Sequence, residues 1–172
     1  MRVAFVGIEK DWQDLKNRDY VEKFVKYHLE LPWYYAEHGG NVVDVVSNYD
    51  SKTWRFESGG ECTVISRGKY DILRSSYDVV VHWRKWLDEL YCENAVNVIN
   101  SQDHSYGNSW LESVNDAVAD NKLYGILCFP EWHERNLEKE LSVLPHNPRL
   151  LSGVTLGVDT DIYRPAARKS PY

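Results

Sequence analysis

Short apolar segments alternate with helical patterns about every 25 residues, and this alternation limits the fold more than any other feature of the chain. The near-continuous apolar run 78–83, DVVVHW, is typical of a parallel strand that is covered on both faces. Such alternation indicates βαβ units, whose right-handed crossovers place helices on both faces of a sheet. The sequence therefore predicts an α/β fold with a Rossmann-like, doubly wound parallel sheet.

The positions of the elements follow from periodicity and from glycine, proline and capping residues. Ser109 has capping-box spacing to Glu112, which predicts that a helix begins there. Strands are expected over 2–7, 41–47, 62–65, 78–83, 95–101, 123–129 and 149–156. The other helices are expected over 21–37, 70–77, 87–94 and 130–144.

Composition excludes several classes of protein. Hydrophobic residues make up 43% and charged residues 27% of the 172 residues, which is typical of a soluble globular chain. No apolar run approaches the ~20 residues of a membrane helix, and Glu9 comes too early for the core of a signal peptide. The net charge of -6 argues mildly against nucleic acid as a partner.

The cysteines indicate a reducing compartment. Cys62, Cys92 and Cys128 are odd in number and far apart, and no C-x-x-C occurs. This pattern argues against a disulfide scaffold and against a thiolate zinc site. We therefore expect a cytoplasmic protein.

A ligand site is expected where the strands end, because ligands of open parallel sheets bind beyond the carboxyl ends of the strands. Most of the loops there place a histidine, tryptophan or arginine beside a carboxylate or close to one, a mixture that suits sugar recognition. The loops are 7–12, 82–86, 101–107, 130–135 and 157–159.

Several familiar sites are not encoded. The chain has no G-x-G-x-x-G after its first strand, no G-x-x-x-x-G-K-[ST] phosphate loop and no G-x-S-x-G nucleophile turn. His82, Asp103, His104 and His133 lack i, i+4 or H-x-H spacing, so no metal site is predicted.

The last third of the chain carries a family resemblance. Residues 157–165, GVDTDIYRP, resemble the G-V-D-x-x-x-[FY]-x-P segment that precedes the interdomain crossover of GT-B glycosyltransferases. Residues 125–137 resemble the strand and helix start that close the N-terminal domain of those enzymes, with Pro130 in place of a serine. Residues 78–82 and 98–104 resemble two strands that end on the acceptor side. The chain is thus similar to the retaining enzymes that use nucleotide sugars.

The resemblance implies that two domains have different roles. Residues 1–163 would form the acceptor-side domain, and 164–172 a tail or the start of a linker. The C-terminal donor-binding domain lies outside these residues and would be supplied in cis or in trans. We expect no cofactor besides the nucleotide-sugar co-substrate, a glycan or small-molecule acceptor, no membrane span, and no turnover by this part alone.

Candidate site residues come from the predicted loops and from the resemblance. Asp103, beside His104, would orient or deprotonate an acceptor hydroxyl, although a turn-capping aspartate and a solvated histidine are the plain alternatives. We expect His82, Asp103 and His104 to converge on one rim, with His82 as a satisfied histidine under that rim being the alternative. The residues predicted to bind acceptor or donor are Gly7, Glu9, His82, Trp83, Arg84 and Glu131.

Two other functions stay open. The chain could be a non-catalytic Rossmann-like module for binding or assembly. It could also be a nucleotide- or phosphate-binding enzyme of different chemistry. Titration with sugar nucleotides would separate these classes.

Overall fold

The computed structural model describes residues 1–8, 30–48, 50, 53–101, 107–128 and 131–151. These residues form one eight-stranded sheet with the order β3-β4-β2-β1-β5-β6-β7-β8. All the strand pairs are parallel except β3 with β4. The strands are β1 (Arg2–Val6), β2 (Val42–Ser47), β3 (Thr53–Arg55), β4 (Glu61–Ser66), β5 (Val79–Trp83), β6 (Val96–Asn100), β7 (Gly125–Leu127) and β8 (Arg149–Leu151). The predicted α/β fold with a mostly parallel sheet is confirmed.

Helices pack on both faces of the sheet. They are α1 (Glu30–Glu37), α2 (Arg67–Leu73), α3 (Asn108–Ala119) and α4 (Glu131–Leu141). Because side chains alternate along a strand, Phe5 and Val6 lie on opposite faces. Phe5 packs in one core cluster with Ala36 of α1. Val6 packs in a second cluster with Tyr70 of α2. We call these the α1 face and the α2 face; α3 and α4 pack on the α2 face, against Ile99 and Ile126.

The strand order contains one reversal. Without the antiparallel β3, the parallel strands run 3-2-1-4-5-6-7 in chain order, which extends the six-stranded Rossmann order by one strand. The chain first adds strands on one side of β1, beginning with β2. It then adds strands on the other side of β1, beginning with β5. The switch point lies between β1 and β5, and a crevice between the loops that follow these two strands is the usual place for a ligand.

The predicted helix over 87–94 is wrong. Only a 3-10 turn, Asp88–Leu90, forms there. The carboxamide of Asn97 holds the rest of the segment in an irregular turn: its Nδ2 donates to the carbonyls of Cys92 and Ala95, at 2.7 and 2.8 Å. A side chain from the next strand therefore takes the backbone groups that a helix would use.

Two smaller predictions need correction. The helix expected from Ser109 begins at Asn108, with Gly107 as its N-cap and no side-chain capping bond. The short helix over 70–77 is α2, which begins earlier, at Arg67, and is followed by a 3-10 turn at Arg74–Ser76. The helix expected over 21–37 is described only from Glu30. In the described part of the chain, no helix is long and apolar enough to cross a membrane.

Candidate functional site

The carboxyl ends of the central strands form a row across the sheet. Trp83, the last residue of β5, pairs with Asn100, the last residue of β6. The first residues of these two strands are also paired with each other. The pairs Phe5 with Val45 and Val6 with His82 align Gly7 with Ser47 on one side and with Trp83 on the other. Paired residues of a parallel sheet face the same way, so the side chains of this row belong to the α1 face. We call Ser47, Gly7, Trp83 and Asn100 the edge row.

Gly7 brings the two loops at the switch point together. Its φ is +88°, a left-handed conformation that favours glycine. A Cβ built at Gly7 would lie 2.6 Å from Cδ1 of Leu87, in the loop after β5. A side chain at residue 7 would therefore be strained by the positive φ and would also require the end of the Leu87 side chain to move.

Arg84 follows β5 in a strained turn. Its φ is +64°, and the N–H of Lys85 donates to the carbonyl of Trp83 at 2.8 Å, which makes Arg84 the centre of a γ-turn. The turn is held on both sides, since the N–H of Arg84 donates to the Asn100 carbonyl at 3.0 Å and the Trp110 indole N–H donates to the Arg84 carbonyl at 2.9 Å. A non-glycine residue in this region costs about 1–3 kcal/mol, and such strain is concentrated at functional sites.

Asn100 presents an unusual buried amide. Its side chain is 0% exposed, and neither Nδ2 nor Oδ1 has a hydrogen-bond partner among the residues that the structure describes. The hydroxyl of Ser47, in the same row, is likewise buried without a partner in the described chain. Each such group costs about 1–3 kcal/mol of desolvation that no protein hydrogen bond offsets. The edge row therefore holds polar groups that the described fold does not use.

Ser101 and His133 form a buried pair next to the edge row. Ser101 directly follows β6, and His133 lies in the first turn of α4. The Ser101 Oγ is 3.4 Å from Nε2 of His133, and both side chains are buried. This contact ties the end of β6 to the start of α4, so it fixes the position of the helix relative to the row.

His82 does not lie at the rim where the sequence places it. The side chain is fully buried on the α2 face, stacked on Trp86 with ring centroids 4.4 Å apart, and its Nε2 is 3.3 Å from Oδ1 of Asn97. Burial lowers the pKa of His82 from 6.5 to about 4, against an opposing contribution from the Asn97 hydrogen bond. The ring is therefore neutral near pH 7. Its Nδ1 is buried without a hydrogen-bond partner in the described chain, and its role in ligand binding stays a prediction.

The other predicted residues divide into two groups. Gly7 and Arg84 lie at the switch-point edge, while Trp83 has its backbone at that edge and its side chain buried in the core of the α1 face. Glu131 is the first residue of α4, at the same end of the sheet. Glu9, Asp103 and His104 lie outside the described residues, so the convergence of His82, Asp103 and His104 on one rim stays a prediction. No group of three metal-ligating side chains occurs within the described ranges.

Ser47 and Asn100 are not among the residues predicted from the sequence, and Ser101 lies in the predicted loop 101–107 without being predicted as a site residue. Each is a polar residue at or just after the end of an apolar strand, at the edge where the predicted loops begin. A polar residue at the end of an apolar strand is the sequence signal that could have identified them. A strand's last residue needs a partner at the edge when its side chain is polar and buried.

Comparison with known proteins assigns no family. No protein-family model matches the chain, and no curated protein or solved structure matches it either. Any statement about function therefore depends on the residues and geometry described above.

Proposed function

We propose that the chain is the acceptor-side domain of a GT-B glycosyltransferase, which transfers a sugar from a nucleotide-sugar donor to a glycan or small-molecule acceptor. The observation that carries this proposal is that three resembling segments, 78–82, 98–104 and 125–137, overlap the adjacent strands β5, β6 and β7 in their described parts. The carboxyl ends of adjacent parallel strands meet at one edge, and that edge borders the switch point.

The proposed roles follow from position in this edge. Asp103 and His104 lie outside the described residues, and their role comes from the family resemblance. Asp103, with His104, acts on the acceptor hydroxyl, since a carboxylate can take or orient a hydroxyl proton. Gly7 lets the backbone approach the ligand closely, and the Arg84 turn shapes the opposite wall of the crevice. A donor-binding domain, in cis or in trans, closes over the edge and excludes water, which limits hydrolysis of the donor.

Two further parts of the proposal concern cofactor and compartment. The reaction uses the nucleotide sugar as co-substrate, and we propose no metal and no cofactor. Cys62, Cys92 and Cys128 are all buried free thiols, and burial raises the pKa of Cys62 to about 12 and that of Cys128 to about 11. Such protonated thiols act as apolar packing residues, which suits a cytoplasmic protein.

Binding of sugars at this edge can be tested by two-dimensional amide NMR. We expect titration with UDP-glucose and with methyl hexosides to shift the amide signals of Gly7 and Arg84 and the indole N–H of Trp110. The amides of Arg2 and Asp78, at the amino end of the strands, should not shift. No shift with any of these ligands, or shifts confined to the amino end, would contradict the proposal.

A matched pair of arginine variants controls for charge. R84A should weaken binding, while R55A, an exposed arginine paired with Glu61 on the edge strand β3, should not. The proposal also requires that the chain alone forms no product from donor and acceptor. Robust transfer by residues 1–172 alone would refute the two-domain arrangement, and binding that never supports transfer with any donor-binding domain would favour the non-catalytic module.

A further inference from the structure

Strand β6 carries two buried asparagines whose side chains have opposite hydrogen-bonding states. Asn97, near its start, uses every group: Oδ1 accepts from the Cys92 N–H at 3.2 Å and lies 3.3 Å from Nε2 of His82. Its Nδ2 donates to the carbonyls of Cys92 and Ala95. Asn97 is therefore a structural residue, which holds the turn before the strand and orients His82.

Asn100, at the end of the same strand, uses neither side-chain group. Its carboxamide is shielded from solvent, and it makes no hydrogen bond to any part of the chain that is described. The backbone of Asn100 accepts from the Arg84 N–H, so the residue's place in the ladder does not depend on an amide side chain. A leucine, which has the same number of side-chain heavy atoms and the same branching at Cγ, would occupy the position without the desolvation cost.

The location of this amide points to a ligand. Asn100 is the neighbour of Trp83 in the edge row, and β5 borders the switch point. Its backbone carbonyl also supports the strained turn at Arg84. The unsatisfied amide and the strained turn are thus two independent features of one edge, on adjacent strands.

The chemistry of a carboxamide favours a ligand that offers a donor and an acceptor side by side. The amide offers two N–H donors and one carbonyl acceptor, and it is neutral. A phosphate or carboxylate offers only acceptors and would leave Oδ1 unsatisfied, whereas an ammonium group offers only donors. Two neighbouring hydroxyls satisfy both atoms, because each hydroxyl can donate or accept.

We propose that Asn100 recognises the acceptor sugar by accepting a hydrogen bond from one ring hydroxyl and donating one to its neighbour. This inference rests on the proposed function, and it names the residue that reads the hydroxyl pattern. Asn100 acts in binding and takes no part in proton transfer.

The test compares N100L with N97L, two matched substitutions on one strand. We expect N100L to melt at or above the temperature of the wild type, because it removes two unsatisfied polar groups, and N97L to melt well below it. Calorimetric titration with methyl hexosides should show about tenfold weaker binding by N100L. Deoxy analogues at positions 2, 3 and 4 should include one that the wild type binds more weakly than its parent and that N100L does not.

Each other outcome overturns the inference in a recognisable way. If N100L is destabilised as much as N97L, Asn100 is structural. If N100L binds hexosides as tightly as the wild type, the inference fails while sugar binding stands. If only UDP binds, and its binding depends on Asn100, the amide reads a nucleotide instead of hydroxyls. If the wild type binds no hexoside, the inference and the proposed function fail together.

Discussion

The two ends of the parallel strands differ in how their buried polar groups are hydrogen-bonded. At the amino end, the Asp44 carboxylate is buried and accepts hydrogen bonds from Nη2 of Arg2 at 2.7 Å and from the hydroxyl of Tyr77 at 3.0 Å. At the carboxyl end, the amide of Asn100 has no partner in the described chain. These two buried side chains therefore differ: Asp44 is hydrogen-bonded to the fold, and Asn100 is not.

Positive φ occurs at both ends of the strands. Gly40, Gly59 and Asn121 precede β2, β4 and β7, whereas Gly7 and Arg84 directly follow β1 and β5 at the switch point. Proteins keep strain and unsatisfied groups where function requires them and are otherwise locally consistent. We infer from the contrast between Asp44 and Asn100 that the buried Asp44 carboxylate contributes stability, whereas the unsatisfied amide of Asn100 lowers it.

The largest effect is expected at the amino end, from D44A. Removing the carboxylate leaves the Tyr77 hydroxyl without its acceptor in the core and the Arg2 guanidinium without its ion pair. We expect a loss of about 3 to 5 kcal/mol in the free energy of unfolding, measured by urea denaturation. The exposed pair of Arg55 with Glu61 serves as the control, since E61Q should cost less than about 1 kcal/mol. Equal losses would remove the claim that the buried Asp44 carboxylate contributes stability.

The strands could be predicted from sequence because their signal is local. Apolar runs placed β1, β2, β5 and β6 to within two residues at each end. The antiparallel β3 has no such signal. It is three residues long, and contacts with β4 hold it, including the hydroxyl of Thr63 donating to that of Thr53 at 2.9 Å. Tertiary pairing of this kind overrides local propensity.

The candidate site was harder to predict because it depends on the face of each side chain. His82 and Trp83 are neighbours in one apolar run, yet His82 lies on the α2 face and Trp83 on the α1 face. A shift of one residue exchanges the two faces, and periodicity cannot resolve this in a run that is apolar on both sides. The Ser101 and His133 pair joins residues 32 positions apart, a contact that no local pattern contains.

The pH dependence of the unfolding free energy should show whether His82 is a dehydrated core residue or a hydrated residue of the carboxyl edge. Its pKa is about 4 in the folded chain, below the ordinary value of 6.5 that applies once the chain is unfolded, so the unfolded chain binds a proton first as pH falls. The contribution of neutral His82 to stability is complete above pH 6.5, declines as pH falls from 6.5 to 4, and is lost below that. We expect a decline of about 3 kcal/mol over this range from His82 alone.

The His82 contribution can be isolated by difference. H82F keeps an aromatic ring against Trp86 but cannot titrate, so its unfolding free energy should fall less steeply than that of the wild type between pH 6.5 and 4. H38F, at an exposed histidine, should follow the wild type. Parallel curves for wild type and H82F would mean that His82 is hydrated, and it would then belong with the carboxyl edge.

The smallest effect is expected from a pair of glycine substitutions. G7A places a Cβ against Leu87 and forces alanine into a left-handed conformation, so we expect a loss of about 2 kcal/mol in unfolding free energy. Gly68 lies within α2 and has no heavy atom within 4 Å of its built Cβ, so G68A should instead add about 0.5 to 1 kcal/mol. Thermal melts of both variants show directly whether each substitution stabilises or destabilises the chain. G7A should also move the amide signals of Arg84 and Lys85 without moving those at Arg2 and Asp78, because the contact it breaks lies only at the switch point. A G7A variant as stable as the wild type would show that the two loops are not in close contact, and the strained carboxyl edge would then lose one of its two backbone features.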